Sequence, residues 1–374
     1  MDSHAAPAAP AVTAPAEIPA EGEELLSVQT ESLGPLFAEL GMSLAVSTYQ
    51  AGKLIMLRHQ DGVVATHFRN CTKPMGLAAV PGMLVVGALG EIQFYSDVKD
   101  NCGRIESDRA HDACFVPRMS HSTGDIDIHD LAVGKDNVPW FINTRFSALC
   151  TIGGSTSFRP VWRPDFITAY APEDRCHLNG LGLYEGMPRF VTALGESDTA
   201  GGWRARKADG GLLFDLATRR VLCRGLSMPH SPRWYDNRLW VCESGKGTLS
   251  LVDLETGALQ LVAELPGFTR GLDFCGPYAF IGLSQIRESA TFSGIPIAER
   301  AAERNCGIWV VDIRNGRVVA QLKFTQGVQE IFAVQVLPGI RYPEVLGKYD
   351  KLALDTYFLP SEVLRQVPAA APKN

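Results

Sequence analysis

The sequence has no C-x-x-C pair, although it contains nine cysteines. Cys71, Cys102, Cys114, Cys150, Cys176, Cys223, Cys242, Cys275 and Cys306 are scattered and odd in number, which fits reduced thiols better than a disulfide framework. No stretch approaches the length of apolar chain that a membrane helix needs, so no membrane span is expected. The N-terminus lacks a basic region followed by an apolar run, so no signal peptide is expected, and the thiols together with this absence predict a cytoplasmic protein. Basic residues do not dominate: 35 Lys and Arg stand against 41 Asp and Glu, a net charge of −6. That balance argues against a nucleic-acid partner or an anionic membrane surface. Long amphipathic helical windows are nearly absent.

What remains is ordinary globular composition, 46% hydrophobic and 20% charged over 374 residues, enough for one large domain or two to three small ones. Residues 1–22 are mostly Ala, Pro and Glu and are expected to be a disordered tail, because such a segment buries too little surface to offset its ordering entropy. Residues 23–42 read as an N-terminal helical segment, with Gly34-Pro35 as an interruption that splits it. From about residue 43 the texture becomes short apolar runs between turn signals. SLAVSTY, KLIMLRH, MLVVGAL, VPWFINT, RLWVCES and GIWVVDI are separated by pairs such as Asp61-Gly62, Pro81-Gly82 and Asp236-Asn237. This is an all-β pattern of hairpins in series.

The hairpins repeat. Met75, His129, Asn179, His230, Arg270 and Gln329 occupy the same place in six successive units, 54, 50, 51, 40 and 59 residues apart. A period near 50 with about four strands per unit is the sequence form of a β-propeller. The last unit lacks outer strands, and the N-terminal block has three spare ones, near 43–48, 53–58 and 63–68. The predicted fold is therefore a six-bladed propeller over residues 43–345, closed by N-terminal strands that complete the last blade and remove its open edges. Residues 346–374 form a C-terminal extension, in which KLALDTYFLP is a candidate additional strand.

In this register the repeated positions begin the innermost strand of each blade and line the upper mouth of the central channel. In Gly124-Asp125-Ile126-Asp127-Ile128-His129-Asp130-Leu131-Ala132, polar and apolar residues alternate, so a strand would put Asp125, Asp127 and His129 on one face. Two neighbouring carboxylates stay ionised only beside a cation or donors. The alternative is an entry loop in which both aspartates accept backbone N–H bonds. His129, His177 and His230 come from three consecutive blades. With Asp125 they are the expected ligands of a divalent metal (Zn, Fe, Mn or Cu), although no local motif such as H-E-x-x-H supports the set. The alternative is a hydrogen-bonded polar plug in a wet channel.

Around that centre, Asp127 is a candidate fourth ligand or general base, and Arg145 and Arg270 are candidates to orient a substrate anion. Glu330 is a reserve acid or base. Asn179, Trp203, Arg204, Arg233 and Glu243 are candidate substrate contacts, with ordinary loop salt bridges as the alternative for the arginines. Cys176 precedes His177, but neighbours on a strand face opposite ways, so a buried structural thiol is favoured. Two insertions, Thr199–Gly210 and residues 285–305, the second with a short helix around 297–304, would overhang the mouth. Trp203 and Phe292 would cover a ligand there, or else pack together and merely shield the channel.

The segments GDIDIHDLA, NTRFSAL, APEDRCHLNGLG, DTAGGW with KADGG, MPHSPRW and LPGFTRGL resemble the motif set of an uncharacterised bacterial propeller family, known as a domain of unknown function. The resemblance spans about residues 40–345. It implies the propeller fold and draws interest to these motifs, and it brings no activity. By fold-level analogy only, other six-bladed propellers with axial metals are lactonases, gluconolactonases or lyases. Two functions are therefore expected. One is a metal-dependent hydrolase or lyase acting on a small polar or peptide-like substrate. The other is a non-catalytic module gripping a peptide or protein partner on its upper face.

Overall fold

In a computed structural model, residues 25–107, 109–285, 294–300 and 305–368 are described. The tail expected over 1–22 and Phe292 lie outside the described residues. Six sheets of four antiparallel strands each, two of them extended by a fifth, succeed one another along the chain as the blades of a propeller. The first blade begins with Leu77–Val80 on the inside and ends with Ala113–Ser122. The second runs from Ile128–Val133 to Thr156–Trp162, and the third from Leu178–Tyr184 to Arg220–Leu226. The fourth runs from Pro229–Tyr235 to Leu259–Glu264, and the fifth from Phe268–Cys275 to Arg317–Phe324. The sixth closes the ring. Its inner strand, Ala333–Pro338, pairs with Met42–Ser47 (Ala45 opposite Gln335), which is followed by Lys53–Gln60 and Val63–Asn70.

The apolar runs carry little alternation because each blade is buried on both faces. Phe141 packs between the first and second blades, while its neighbour Ile142 packs between the second and third. Hydrophobic clusters of this kind fill all the junctions between blades. Polar latches cross five junctions near the channel. Ser47 donates to Met75 O (2.5 Å), Thr144 to Leu178 O (2.6 Å), Asn179 to Pro229 O (3.0 Å), Ser244 to Thr269 O (2.5 Å) and Ser284 to Ile331 O (3.0 Å). The four hydroxyls stand at the end of the second strand of their blades. Each satisfies a carbonyl of the next blade's inner-strand segment that no neighbouring strand could reach.

Both chain ends add to the blades that flank the seam. Ser27–Gln29 pairs antiparallel with Arg317–Phe324 of the fifth blade, and Pro343–Val345 pairs parallel with Ala113–Ser122 of the first. The single helix expected at the N-terminus is thus a strand followed by a helix, Leu33–Leu40. Gly34-Pro35 does not split that helix. Pro35 lies in its first turn, where a missing N–H costs nothing. Gly34 is required by close approach: a Cβ there would stand 1.8 Å from Gly62 O. Gly34→Ala would gain up to about 1 kcal/mol of helix propensity but is expected to destabilise the protein overall, because that clash costs about 1–3 kcal/mol. A lowered urea midpoint checks this. The segment KLALDTYFLP is not a strand: Lys351–Leu354 is a short helix. Among the described residues no helix is long and apolar enough to cross a membrane.

Candidate functional site

The upper mouth is shaped by an unusual backbone feature. Lys73, Asp127, His177 and Met228, at equivalent places just before four successive inner strands, all have left-handed φ values of 45–52°. Non-glycine residues seldom adopt this conformation, and they keep it where the surrounding structure enforces it. It turns each chain into its blade and breaks the strand alternation. The inner strand of the second blade starts only at Ile128, so Asp125, Asp127 and His129 do not form one strand face.

The two aspartates bind cations instead. Lys73 Nζ lies 2.8 Å from Asp125 Oδ1 and 2.5 Å from Asp127 Oδ1. Arg145 Nη2 lies 2.7 Å from Asp125 Oδ2, and its Nε lies 3.2 Å from Asp127 Oδ2. Burial alone would raise the Asp127 carboxyl, but Lys73, Arg145 and His177 outweigh it and hold it below the usual carboxylate range. The reading of Asp125 as metal ligand and Asp127 as general base is therefore corrected: their oxygens are occupied by an ammonium and a guanidinium. Arg145 is likewise occupied on the sides it turns to them.

The imidazoles are held differently. Thr144 Oγ1 gives its proton to Leu178 O, so at 2.9 Å it can only accept from His129 Nδ1. Ser244 Oγ gives its proton to Thr269 O and at 2.8 Å accepts from His230 Nδ1, which also faces Met228 O at 3.0 Å. His177 Nδ1 lies 2.9 and 3.0 Å from the two oxygens of Asp174. All three Nδ1 atoms therefore carry protons, and all three Nε2 atoms are bare unless an external cation or proton binds them. The Nε2 atoms of His129 and His177 face each other at 3.1 Å. Two facing lone pairs at that distance need a shared positive charge, either a proton or a metal ion. Burial, then the charges of His177 and Arg270, hold His129 far below the usual histidine range; burial, then Arg270, does the same to His230.

An aromatic ring stands beside each imidazole: Phe332 by His129 (5.1 Å between centres), Trp203 by His177 (4.4 Å) and Phe268 by His230 (5.6 Å). Trp203 also donates to Asp174 at 2.9 Å. The two insertions meet above the mouth, where Trp203 packs with Leu194, Met228, Phe268, Ile295 and Ile297. The helix in the second insertion is Pro296–Arg300; the remainder of the span expected for it, 301–304, lies outside the described residues. Arg204 stacks on Trp203 at 4.6 Å and is exposed at the rim. Arg270 pairs with Glu330 at 3.0 Å.

Three candidate contacts lie elsewhere. Asn179 is an interblade latch, also accepting from Thr192 at 2.6 Å. Arg233 lies among the inner strands, bound to Asp130 at 2.9 Å and to Leu272 O at 3.1 Å. Glu243 accepts from Ser227 N and pairs with Lys246 at 2.7 Å. Cys176 is buried, its thiol pushed up to about 12, so it is no nucleophile. Sequence reasoning missed Tyr49, Asp174 and Phe332, and left Lys73 without a role. Lys73 had a signal, its register with Asp127 and His177. Tyr49 lies in the short turn Tyr49–Ala51 between two N-terminal strands, with its ring 5.8 Å from Phe332, and reaches the site only through ring closure.

Every Nδ1–H has an acceptor, the outer arrangement that a metal-bound imidazole needs. Among the described residues, no three His, Cys, Asp or Glu donors converge closely enough to hold an ion as they stand. His129 and His177 are a two-donor start, and His230 supplies a third bare nitrogen in the neighbouring blade.

Fold and site together define a six-bladed propeller with a roofed, imidazole-lined channel mouth. The chain belongs to the family described as a domain of unknown function, DUF4915, whose model matches residues 31–346. No curated protein matches the sequence. Among solved structures it is similar to a chain of the nidogen/laminin complex, with 9% identity, a TM-score of 0.52, and coverage of 80% of this chain and 99% of that one. It is also similar to a protein of unknown function from Bacteroides caccae (11% identity, TM-score 0.47, 79% and 98% covered). Virginiamycin B lyase from Staphylococcus aureus matches at 11% identity and a TM-score of 0.38, with 74% of each chain covered. At these identities the first likeness shows the fold alone, and the other two carry no argument.

Proposed function

We propose that the upper mouth is the active site of a metal-dependent enzyme, of hydrolase or lyase type, acting on a small polar substrate. The observation that supports this reading is the shared orientation of the three rings: Thr144, Asp174 and Ser244 take Nδ1–H of His129, His177 and His230, which turns the three Nε2 atoms away from those acceptors, with those of His129 and His177 facing each other at 3.1 Å. A polar plug would not need every imidazole in the same tautomer. A divalent ion held there would polarise a substrate carbonyl or acidify a bound water. Asp174 orients His177 through its Nδ1. Lys73 and Arg145 pair with Asp125 and Asp127 as a fixed charge frame. Tyr49, whose phenol burial raises against the opposing effect of Lys73, stays protonated and can donate a hydrogen bond. The roof around Trp203 excludes water from the His177 side.

The test is elemental mass spectrometry on untagged protein after exposure to Zn²⁺, Fe²⁺, Mn²⁺ and Cu²⁺, beside His177→Ala and His230→Ala. Near one equivalent of metal is expected in the wild type, with loss in both variants. Folded protein that takes up none of the four ions would overturn the reading.

A further inference from the structure

Arg270 lies beside the imidazole set and has one hydrogen-bond partner among the described residues, Glu330 Oε1. It is 9% exposed, and its guanidinium lies flat on Phe332, with the central carbon 3.4 Å from the ring centre. A guanidinium carries five N–H donors in a rigid fork, and stacking on a ring satisfies none of them. Yet no nitrogen of Arg270 is among the fully enclosed orphan donors of the protein. Its free nitrogens therefore keep some contact with solvent. The same Phe332 ring stands 5.1 Å from the His129 ring, so the guanidinium adjoins the imidazole set.

The other arginine in reach is engaged. Arg145 donates through Nε and Nη2 to Asp127 and Asp125, whereas Arg270 gives one donor to a single carboxylate oxygen. A guanidinium and a metal dication beside the same imidazoles repel each other unless an anion lies between them. An oxyanion resolves this, since one oxygen edge can take the guanidinium fork while the rest of the molecule faces the imidazoles.

We propose that Arg270 is the anion-recognition residue of this mouth, and that its ligand is the carboxylate or phosphate oxyanion of a small substrate held by the free edge of the guanidinium. This rests on reading the mouth as a substrate site and names the substrate's chemistry. Glu330 then acts as a competitor and positioning group: it holds the guanidinium flat on Phe332 and occupies one of its donors.

Calorimetric titration of the full-length protein with acetate, glycolate and inorganic phosphate tests this, with and without chelator. Arg270→Lys keeps the charge and loses the fork. Glu330→Gln keeps the shape and removes the competing charge. At least one anion is expected to bind the wild type, about tenfold or more weakly in Arg270→Lys and more tightly in Glu330→Gln. A response to acetate or glycolate alone assigns a carboxylate, and one to phosphate alone assigns a phosphoryl group. The inference is overturned if no anion binds the wild type, or if a folded Arg270→Lys binds as well as the wild type. Arg270-dependent binding in chelated protein would stand even if the metal reading failed. Stoichiometric metal without Arg270-dependent binding would sink this inference alone.

Discussion

Asp130→Ala is expected to destabilise the propeller by about 3 kcal/mol, seen as a lower urea midpoint. The carboxylate of Asp130 accepts from Arg233 at 2.9 and 3.2 Å and from the backbone N–H groups of Leu131 (3.0 Å) and Leu181 (2.9 Å). Arg233 also donates to Leu181 O, Pro232 O and Leu272 O. One ion pair thus ties together inner strands of the second, third, fourth and fifth blades. Removing the aspartate strands a guanidinium in the channel and orphans the Leu181 N–H. Arg233→Met is expected to cost a similar amount by leaving the buried carboxylate unpaired. The double variant should recover part of the loss, because neither charge is then left alone. Losses in the double variant equal to the sum of the singles would show that the two residues are not coupled.

Glu344→Gln is the second large effect, and it depends on pH. Glu344 lies on the short C-terminal strand, with His67 Nε2 at 2.7 Å, Arg69 Nη2 at 2.8 Å, and Arg58 Nη1 and His111 Nε2 both at 3.5 Å. Burial alone would raise this carboxyl, but His67 and Arg69 together outweigh it and hold it at about 2. A folded-state value depressed from 4.5 to about 2, at roughly 1.4 kcal/mol per pH unit, represents on the order of 3 kcal/mol. The folded value is below the unfolded one, so this stability is fully present above pH 4.5 and is lost as pH falls toward 2. Glu344→Gln should therefore be destabilised near neutral pH and differ far less from the wild type at about pH 3. Urea unfolding at the two pH values checks this. An equal deficit at both would show that lost packing, rather than charge, is responsible. The site matters because Pro343–Val345 pairs through only three residues, and the ionic clasp adds to the packing of Val345 and Leu346 at this seam.

The channel mouth and the seam show what the chain states locally and what it does not. The six-unit period, the hairpin grammar and the three spare N-terminal strands are local patterns of apolar runs and turn residues, and they determine the propeller and its closure without reference to any contact. The same register places His129, His177, His230, Arg270 and Glu330 at one end of the channel, because equivalent positions in a closed repeat must converge. Charge pairing is not local. Asp125 and Asp127 look like ligands in the sequence, but the packing of the first blade against the second delivers Lys73 to them, and the pairing of the second blade's own first two strands delivers Arg145. The left-handed backbone at Asp127 likewise comes from how the chain enters its blade, and no period-two reading could show it. Arg233, Asn179 and Glu243 sit on the expected strands, yet their side chains serve neighbouring blades, since direction within a channel depends on partners far away in sequence. Tyr49 and Phe332, from near the two ends of the chain, become neighbours of the imidazoles only when the ring closes. The sequence by itself determined the scaffold and the face that carries the site. Tertiary structure alone decided which charges there are already satisfied, Asp125 and Asp127 by Lys73 and Arg145, and how each imidazole is turned, because both depend on partners that the chain brings together only on folding.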